Sequence, residues 1–242
     1  MSAKNLVVAS VSDSHVPKYL DLFKKVVESF DFSNVDFFVL AGDMILKGRI
    51  GEYSTVLEII RSKYKGPLYA VFGNEEYQEQ EEELIRLYRD VVWLNDSLEI
   101  VKFKGFSVGI VGSRGVLDKP TFWQAKHIPE IRKMYSERVE KLRNLLRVAK
   151  QSCDFTLLVL HYAVVCDTLK GENPKIWPYL GSKRVRRIIE ELKPNAVIHG
   201  HSHKSINFLA FVDGVPVYNV ALPATRKITL IKLEKSGLLK FF

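Results

Sequence analysis

An α/β fold with two β-sheets, parallel-rich in the first half of the chain and hairpin-rich in the second, is the reading that three features support. The first half alternates short apolar runs with segments of helical periodicity, a β-α-β-α-β order that implies a mostly parallel sheet covered by helices. The second half carries Lys104-Gly105 and Asp213-Gly214 between β-branched runs, which are hairpin signals. The 242 residues, 47% hydrophobic and 26% charged, suffice for one large domain, and neither repeats nor a low-complexity linker divides them.

Each element follows from local pattern. "NLVVASVS" (5–12) is a buried strand, followed by the loop "SDSHVP". From Lys18 to Phe30, apolar residues such as Leu22, Phe23, Val26 and Val27 recur at helical spacing. "VDFFVLAGD" is a second strand, "GEYSTVLEIIRSKY" a second helix and "GPLYAVFGN" a third strand. The acidic run Glu79–Glu83 starts another helix and is expected on the solvated face. "WLNDSLEIVKFKGFSVGIVGSR" forms a hairpin, and residues 130–150 give the clearest helical stripe. "FTLLVLHYA" is a buried strand ending at His161. "GSKRVRRIIEELKP" is a helix with Ser182 as N-cap and Pro194 as its stop. "NAVIHGHSH" is a strand running into a histidine loop. Two hairpins close the chain, the last within "TRKITLIKLEKSGLLKFF". The domain is taken as 1–242, with 112–129 and 163–181 as candidate lid or substrate-wall loops.

Composition narrows the function classes. No apolar run approaches the ~20 residues of a membrane helix. The N-terminus reads as a first strand and not a signal peptide, and Cys153 and Cys166 form no disulfide framework. A cytoplasmic protein without a membrane partner is expected. The net charge of +8 and a pI near 9.3 keep nucleic acid open as a partner. The basic residues concentrate at Arg132–Lys150 and Ser182–Arg187, where a solvated helix face is the plainer reading.

Five buried strands end in polar residues: Asp13 and His15, then Asp43, Asn74, His161, and His201 with His203. In open α/β sheets ligands bind outside the carboxyl ends of the strands, so five such loops can converge on one point. Each motif is weak alone; five in succession are not a chance pattern. Histidine and carboxylate without thiolate suit Mn, Fe, Zn, Co or Ni. Seven ligands exceed what one catalytic ion with open positions needs, and suit two ions sharing a carboxylate.

Asp13-x-His15, Gly42-Asp43, Gly73-Asn74, His161 and Gly200-His201-x-His203 together resemble the signature of calcineurin-like metallophosphoesterases. The stretch from Leu160 to His203 is similar to that of small prokaryotic, archaeal-type members. The resemblance implies a four-layer α/β/β/α sandwich with two mixed sheets and a dimetal site at their edges. Asp13, His15 and His203 would hold one ion, Asn74, His161 and His201 the other, and Asp43 would bridge. A hydroxide shared by the ions would attack phosphorus in line, with Mn as the ion for assay. The family pattern continues Gly-Asn-His-Asp/Glu, the histidine contacting phosphate and helping to protonate the leaving group. Here Glu75 stands in that position and Glu76 in the acidic one. Glu75 is therefore a general acid if its pKa is raised, a further metal ligand, or a bystander turned to solvent. Arg114 faces either the phosphate or solvent. His199 reads as a buried structural residue and His127 as a surface one. Substrates expected are phosphorylated small molecules or nucleotides. A nuclease of the same fold and a non-catalytic scaffold are the alternatives.

Overall fold

The computed structural model describes residues 5–233. In chain order the strands are β1 (Leu6–Val11), β2 (Phe37–Ala41), β3 (Leu68–Val71), β4 (Val91–Trp93), β5 (Ser97–Phe103), β6 (Phe106–Ser113), β7 (Phe155–Leu160), β8 (Ala163–Val164), β9 (Gly181–Ser182), β10 (Ala196–His199), β11 (Leu209–Val212), β12 (Val215–Asn219) and β13 (Thr229–Leu233). The helices are α1 (Leu20–Ser29), α2 (Glu52–Lys63), α3 (Glu81–Leu87), α4 (Phe122–His127), α5 (Ile131–Ser152), α6 (Lys183–Leu192) and α7 (Leu222–Thr225). The expected final hairpin falls partly beyond residue 233, outside the described residues.

One sheet has the order β13-β1-β2-β3-β4, the other β11-β12-β10-β7-β6-β5. Within the first, β1 to β4 run parallel and β13 antiparallel. Within the second, β6, β7, β10 and β12 run parallel, and β5 and β11 are antiparallel edges. Both sheets are thus mixed.

The apolar runs lack alternation because both faces of the central strands are covered. Leu6, Val8, Phe37, Val39, Tyr69 and Val71 share one core with Val108, Ile110, Phe155, Leu157, Val159 and Ile198 of the other sheet. The alternate residues Ala9, Val11, Phe38 and Leu40 pack with Phe23, Val27, Val56 and Ile60 of α1 and α2. Val111, Leu158, Leu160 and Val197 pack with Tyr135, Leu142, Leu146, Val185 and Ile189 of α5 and α6. Two mixed sheets therefore face each other, with helices against the outer side of each.

Local signals explain the boundaries. Ser182 Oγ accepts from the amides of Arg184 and Val185, and Lys193 ends α6 in a left-handed conformation before Pro194. Lys104-Gly105 and Asp213-Gly214 all have positive φ, as tight two-residue hairpins require. The helix expected from Lys18 starts at Leu20, because Lys18 N and Leu20 N donate to the His15 and Pro17 carbonyls in a turn. Residues 163–181 are not an open loop. Ala163 pairs with Gly181 and Val164 with Ser182, which closes the segment at its base. The 112–129 segment carries α4, capped by a reciprocal Thr121–Gln124 pair. The basic residues of α5 and α6 lie partly in ion pairs: Arg143 with Glu140 and Glu191, and Arg186 with Glu190. No helix among the described residues is long and apolar enough to cross a membrane.

Candidate metal centre

All five strand ends open at one edge, and the side chains they carry form two groups. Ligand atoms of Asp13, His15 and His203 lie within 4.8 Å of one another, as do those of Asp43, His161 and His201. In the first group, His203 Nε2 is 2.8 Å from Asp13 Oδ1, 3.5 Å from His15 Nε2, and His15 Nε2 is 3.7 Å from Asp13 Oδ1. In the second, His161 Nε2 is 3.4 Å from Asp43 Oδ2 and 3.2 Å from Asn74 Oδ1. His201 stands edge-on to His161, with ring centroids 5.0 Å apart. Asp43 Oδ2 is also 3.9 Å from His15 Nε2, so this carboxylate stands between the groups.

The backbone is shaped to make this convergence. Asp13, His15, Asp43 and His201 all have φ between 42° and 68°, a left-handed region costly for residues with a Cβ. Hydrogen bonds between the strand-end loops hold them there. Asp13 N donates to the Gly42 carbonyl, His15 N to that of Asp43, and Gly200 N to that of His161. Gly42 and Gly73 allow the closest approach: a Cβ on Gly73 would stand 2.1 Å from Asp43 Oδ1, and one on Gly42 2.7 Å from His161 Nδ1.

The electrostatics suit divalent cations. Burial opposes the charge of Asp13, but His203, His161 and His15 outweigh it and hold the carboxyl well below the usual range. Asp43 is likewise lowered, chiefly by His161. Burial disfavours a charged His161, yet Asp43 and Asp13 push it up to about 9. Burial lowers His15, and pushes His201 down to about 3. The His161 Nδ1–H donates to the Ala41 carbonyl, which turns a lone pair of Nε2 toward the cluster when the ring is neutral. The Nε2 atoms of His15 and His203, 3.5 Å apart, are donor and donor in no satisfactory arrangement, so at least one presents a lone pair to the gap. Seven nitrogen and oxygen donors with two carboxylates and no thiolate fit two borderline divalent ions.

The remaining sequence candidates lie around this core. The Glu75 carboxylate accepts from Lys47 N at 2.7 Å, while its amide donates to Asp43 Oδ1 at 2.7 Å. The Arg114 side chain is only 13% exposed, so the solvent-facing alternative does not hold. Its Nη2 donates to Glu81 Oε1 at 2.5 Å and to the Glu76 carbonyl at 2.9 Å. Glu81 accordingly corrects the expectation for the acidic run. It is 9% exposed, paired with Arg114 and Asn95, whereas its neighbours Glu82 and Glu83 face solvent. His199 is buried between Thr168 Oγ1 (2.8 Å) and the Gly200 carbonyl (2.8 Å), and burial pushes it down to about 4. His127 is exposed and stacks on Trp123.

Two residues matter more than the sequence indicated: Glu76, placed in the motif's acidic position without a role, and Tyr162, not singled out at all. Glu76 is 1% exposed, and its carboxylate accepts from the amides of Asp43, Met44 and Gly73, each at 2.7 Å. Burial and the neighbouring Asp43 push it up to about 7. It clamps the loops that end β2 and β3, and the acidic position of the Gly-Asn motif was the available signal. Tyr162 lies 4.9 Å, ring to ring, from His201, and its hydroxyl accepts from Gln124 Nε2 of α4. Nothing but its place beside His161 marked it.

Residues 6–205 match the profile of the calcineurin-like phosphoesterases. Among solved structures, the chain is similar to phosphopantetheinyl hydrolase (PptH) from Mycobacterium tuberculosis, with 18% identity, 92% of this chain and 91% of that one covered, and a TM-score of 0.67. It is also similar to GAP50, described as the anchor in the inner membrane complex of Plasmodium (13% identity, 96% and 82% covered, TM-score 0.66). A dimetal phosphatase from Danio rerio is similar over 96% of this chain and 99% of that one (11% identity, TM-score 0.61). At such identities the likeness shows the fold alone, and an anchor shares it with two hydrolases. No curated protein matches the sequence.

Proposed function

The chain belongs to the calcineurin-like phosphoesterase family, and on that premise we propose that it hydrolyses phosphate esters with two divalent ions bound at the strand-end cluster. The observation that carries this reading is Asp43, a carboxylate within 4 Å of a histidine in each of two ligand groups. Asp13, His15 and His203 would hold one ion, and Asn74, His161 and His201 the other, with Asp43 shared. When bound, such a pair polarises a phosphoryl oxygen and lowers the pKa of water, giving a nucleophile near neutral pH. The protein's own part is to fix these donors before any ion arrives, through the Glu76 clamp and the interloop hydrogen bonds. Cysteines 153 and 166 are free thiols, which fits the cytoplasm as its compartment.

Glu75 is a bystander in this reading. Its carboxylate is turned onto the Lys47 amide, and no histidine occupies its position to protonate a leaving group. This favours diesters, or monoesters with good leaving groups, over poor ones. Glu75→Gln retains an oxygen for the Lys47 amide, and we expect kcat/KM within about threefold of wild type. Loss of one limb of the pH–rate profile in that variant would make Glu75 catalytic instead.

The basic charge favours a nuclease as the second reading. Assays with Mn on aryl diesters, mononucleotides, cyclic nucleotides and short DNA and RNA separate the two. Cleavage confined to polynucleotides, with steep salt dependence, selects the nuclease. A reconstituted protein that retains no Mn, Fe, Zn, Co or Ni would leave the scaffold reading standing.

A further inference from the structure

Apart from the seven candidate ligands, the segment Lys170–Glu172 packs on the loop that carries His203. The Glu172 side chain is buried, the residue being 8% exposed. Its Oε1 accepts from Lys204 N at 2.8 Å and from Ser202 Oγ at 3.4 Å, so it grips the chain on both sides of His203. The Lys170 carbonyl accepts from Ile206 N at 2.8 Å. Gly171, at φ +107°, lets the two chains touch, because a Cβ there would stand 2.2 Å from the Lys204 carbonyl oxygen. Trp177 Nε1 donates to the Glu172 carbonyl, and the β8–β9 pairing closes the base of this segment. From the other side, Asn219 Nδ2 donates to the Ser202 carbonyl at 2.8 Å.

His203 needs such support more than its partners do. Its side chain is 34% exposed, against 7% for His15 and 0% for Asp13, so packing fixes it least. We propose that Glu172 is the positioning residue of His203: by holding the Ser202 hydroxyl and the Lys204 amide, its carboxylate sets the affinity of the Asp13–His15–His203 group for a divalent ion. This rests on the dimetal reading above. It also makes the 163–181 segment part of the metal site and not only a wall beside it. Groups bonded directly to a metal ligand typically govern metal affinity by about 10–100-fold, and Glu172 acts one step further out, through the residues on either side of His203.

The test is calorimetric titration of the metal-free full chain with Mn. Wild type is expected to bind two ions. In Glu172→Ala one of the two should bind about 10–100-fold more weakly, with the other unchanged. Glu172→Gln, which keeps a carbonyl oxygen for both donors, should restore binding to within about threefold. If the alanine chain does not fold, Glu172→Asp gives the same comparison, because it keeps the charge but falls one methylene short. Unchanged binding of both ions in the Ala variant, equal weakening of both, or a Gln variant as weak as Ala would overturn the proposal. A wild-type protein that binds none of Mn, Fe, Zn, Co or Ni in the same titration would instead bring down the dimetal reading itself.

Discussion

Replacing Asp43 with alanine is expected to abolish Mn-dependent hydrolysis of an aryl phosphodiester, a loss of at least about a thousandfold, roughly 4 kcal/mol of barrier. Asp43 is the side chain within reach of both ligand groups, through His15 and His161. Its removal leaves Asp13 as the sole carboxylate among the proposed ligands of two cations. The loss should also appear in metal content, with fewer than two ions retained. His161→Ala should abolish activity too, by emptying one group of its most buried imidazole. Asp43→Asn separates charge from scaffolding. Its oxygen still accepts from the Glu75 amide, as Oδ1 now does at 2.7 Å, so the loops keep their shape while the charge is lost. Wild-type turnover in either alanine variant would refute the dimetal mechanism.

Glu76→Ala should unfold the metal-free protein more readily, by about 3–6 kcal/mol. Three buried amides, those of Asp43, Met44 and Gly73, would lose their acceptor at once, and a fourth from Ile45 lies at 3.3 Å. A buried donor left unsatisfied costs about 1–3 kcal/mol, and water admitted to the gap offsets part of the sum. Glutamine is no rescue. Each Glu76 oxygen accepts from two amides, so a side-chain NH₂ would point at donors wherever it is placed. Urea unfolding of the metal-free variants measures both. A midpoint for Glu76→Ala equal to wild type would show that the clamp contributes nothing to stability.

The candidate site was legible because each ligand sits where an apolar strand stops and a polar residue follows. That is a one-dimensional signal, and the parallel order of the strands does the rest. The partners that hold the ligands were not legible, for they meet only through the fold. Arg114 and Glu81 are 33 residues apart, and the acidic run looked uniform although one of its members points inward against the arginine. Glu75 shows the same limit: its place after Gly73-Asn74 suggested a part in the chemistry, but a Lys47 amide 28 residues away takes its carboxylate. The two glycine-containing hairpins were readable because their turns are decided by adjacent residues. The β8–β9 pairing that closes residues 163–181 was not, since two-residue strands leave no periodicity to detect.

Each ligand group is drawn from both sheets. Asp13, His15, Asp43 and Asn74 follow strands of one, and His161, His201 and His203 follow strands of the other. An ion in either group would therefore act as a rivet across the open edge of the sandwich, adding to the hydrogen bonds that already cross it from His161 to the Ala41 carbonyl and from the His201 amide to Asp13. During synthesis the first sheet's donors emerge early, but the histidines that complete both groups arrive only between residues 161 and 203. Neither half of the chain alone carries a complete group, so two-ion capture would report that the two sheets have docked.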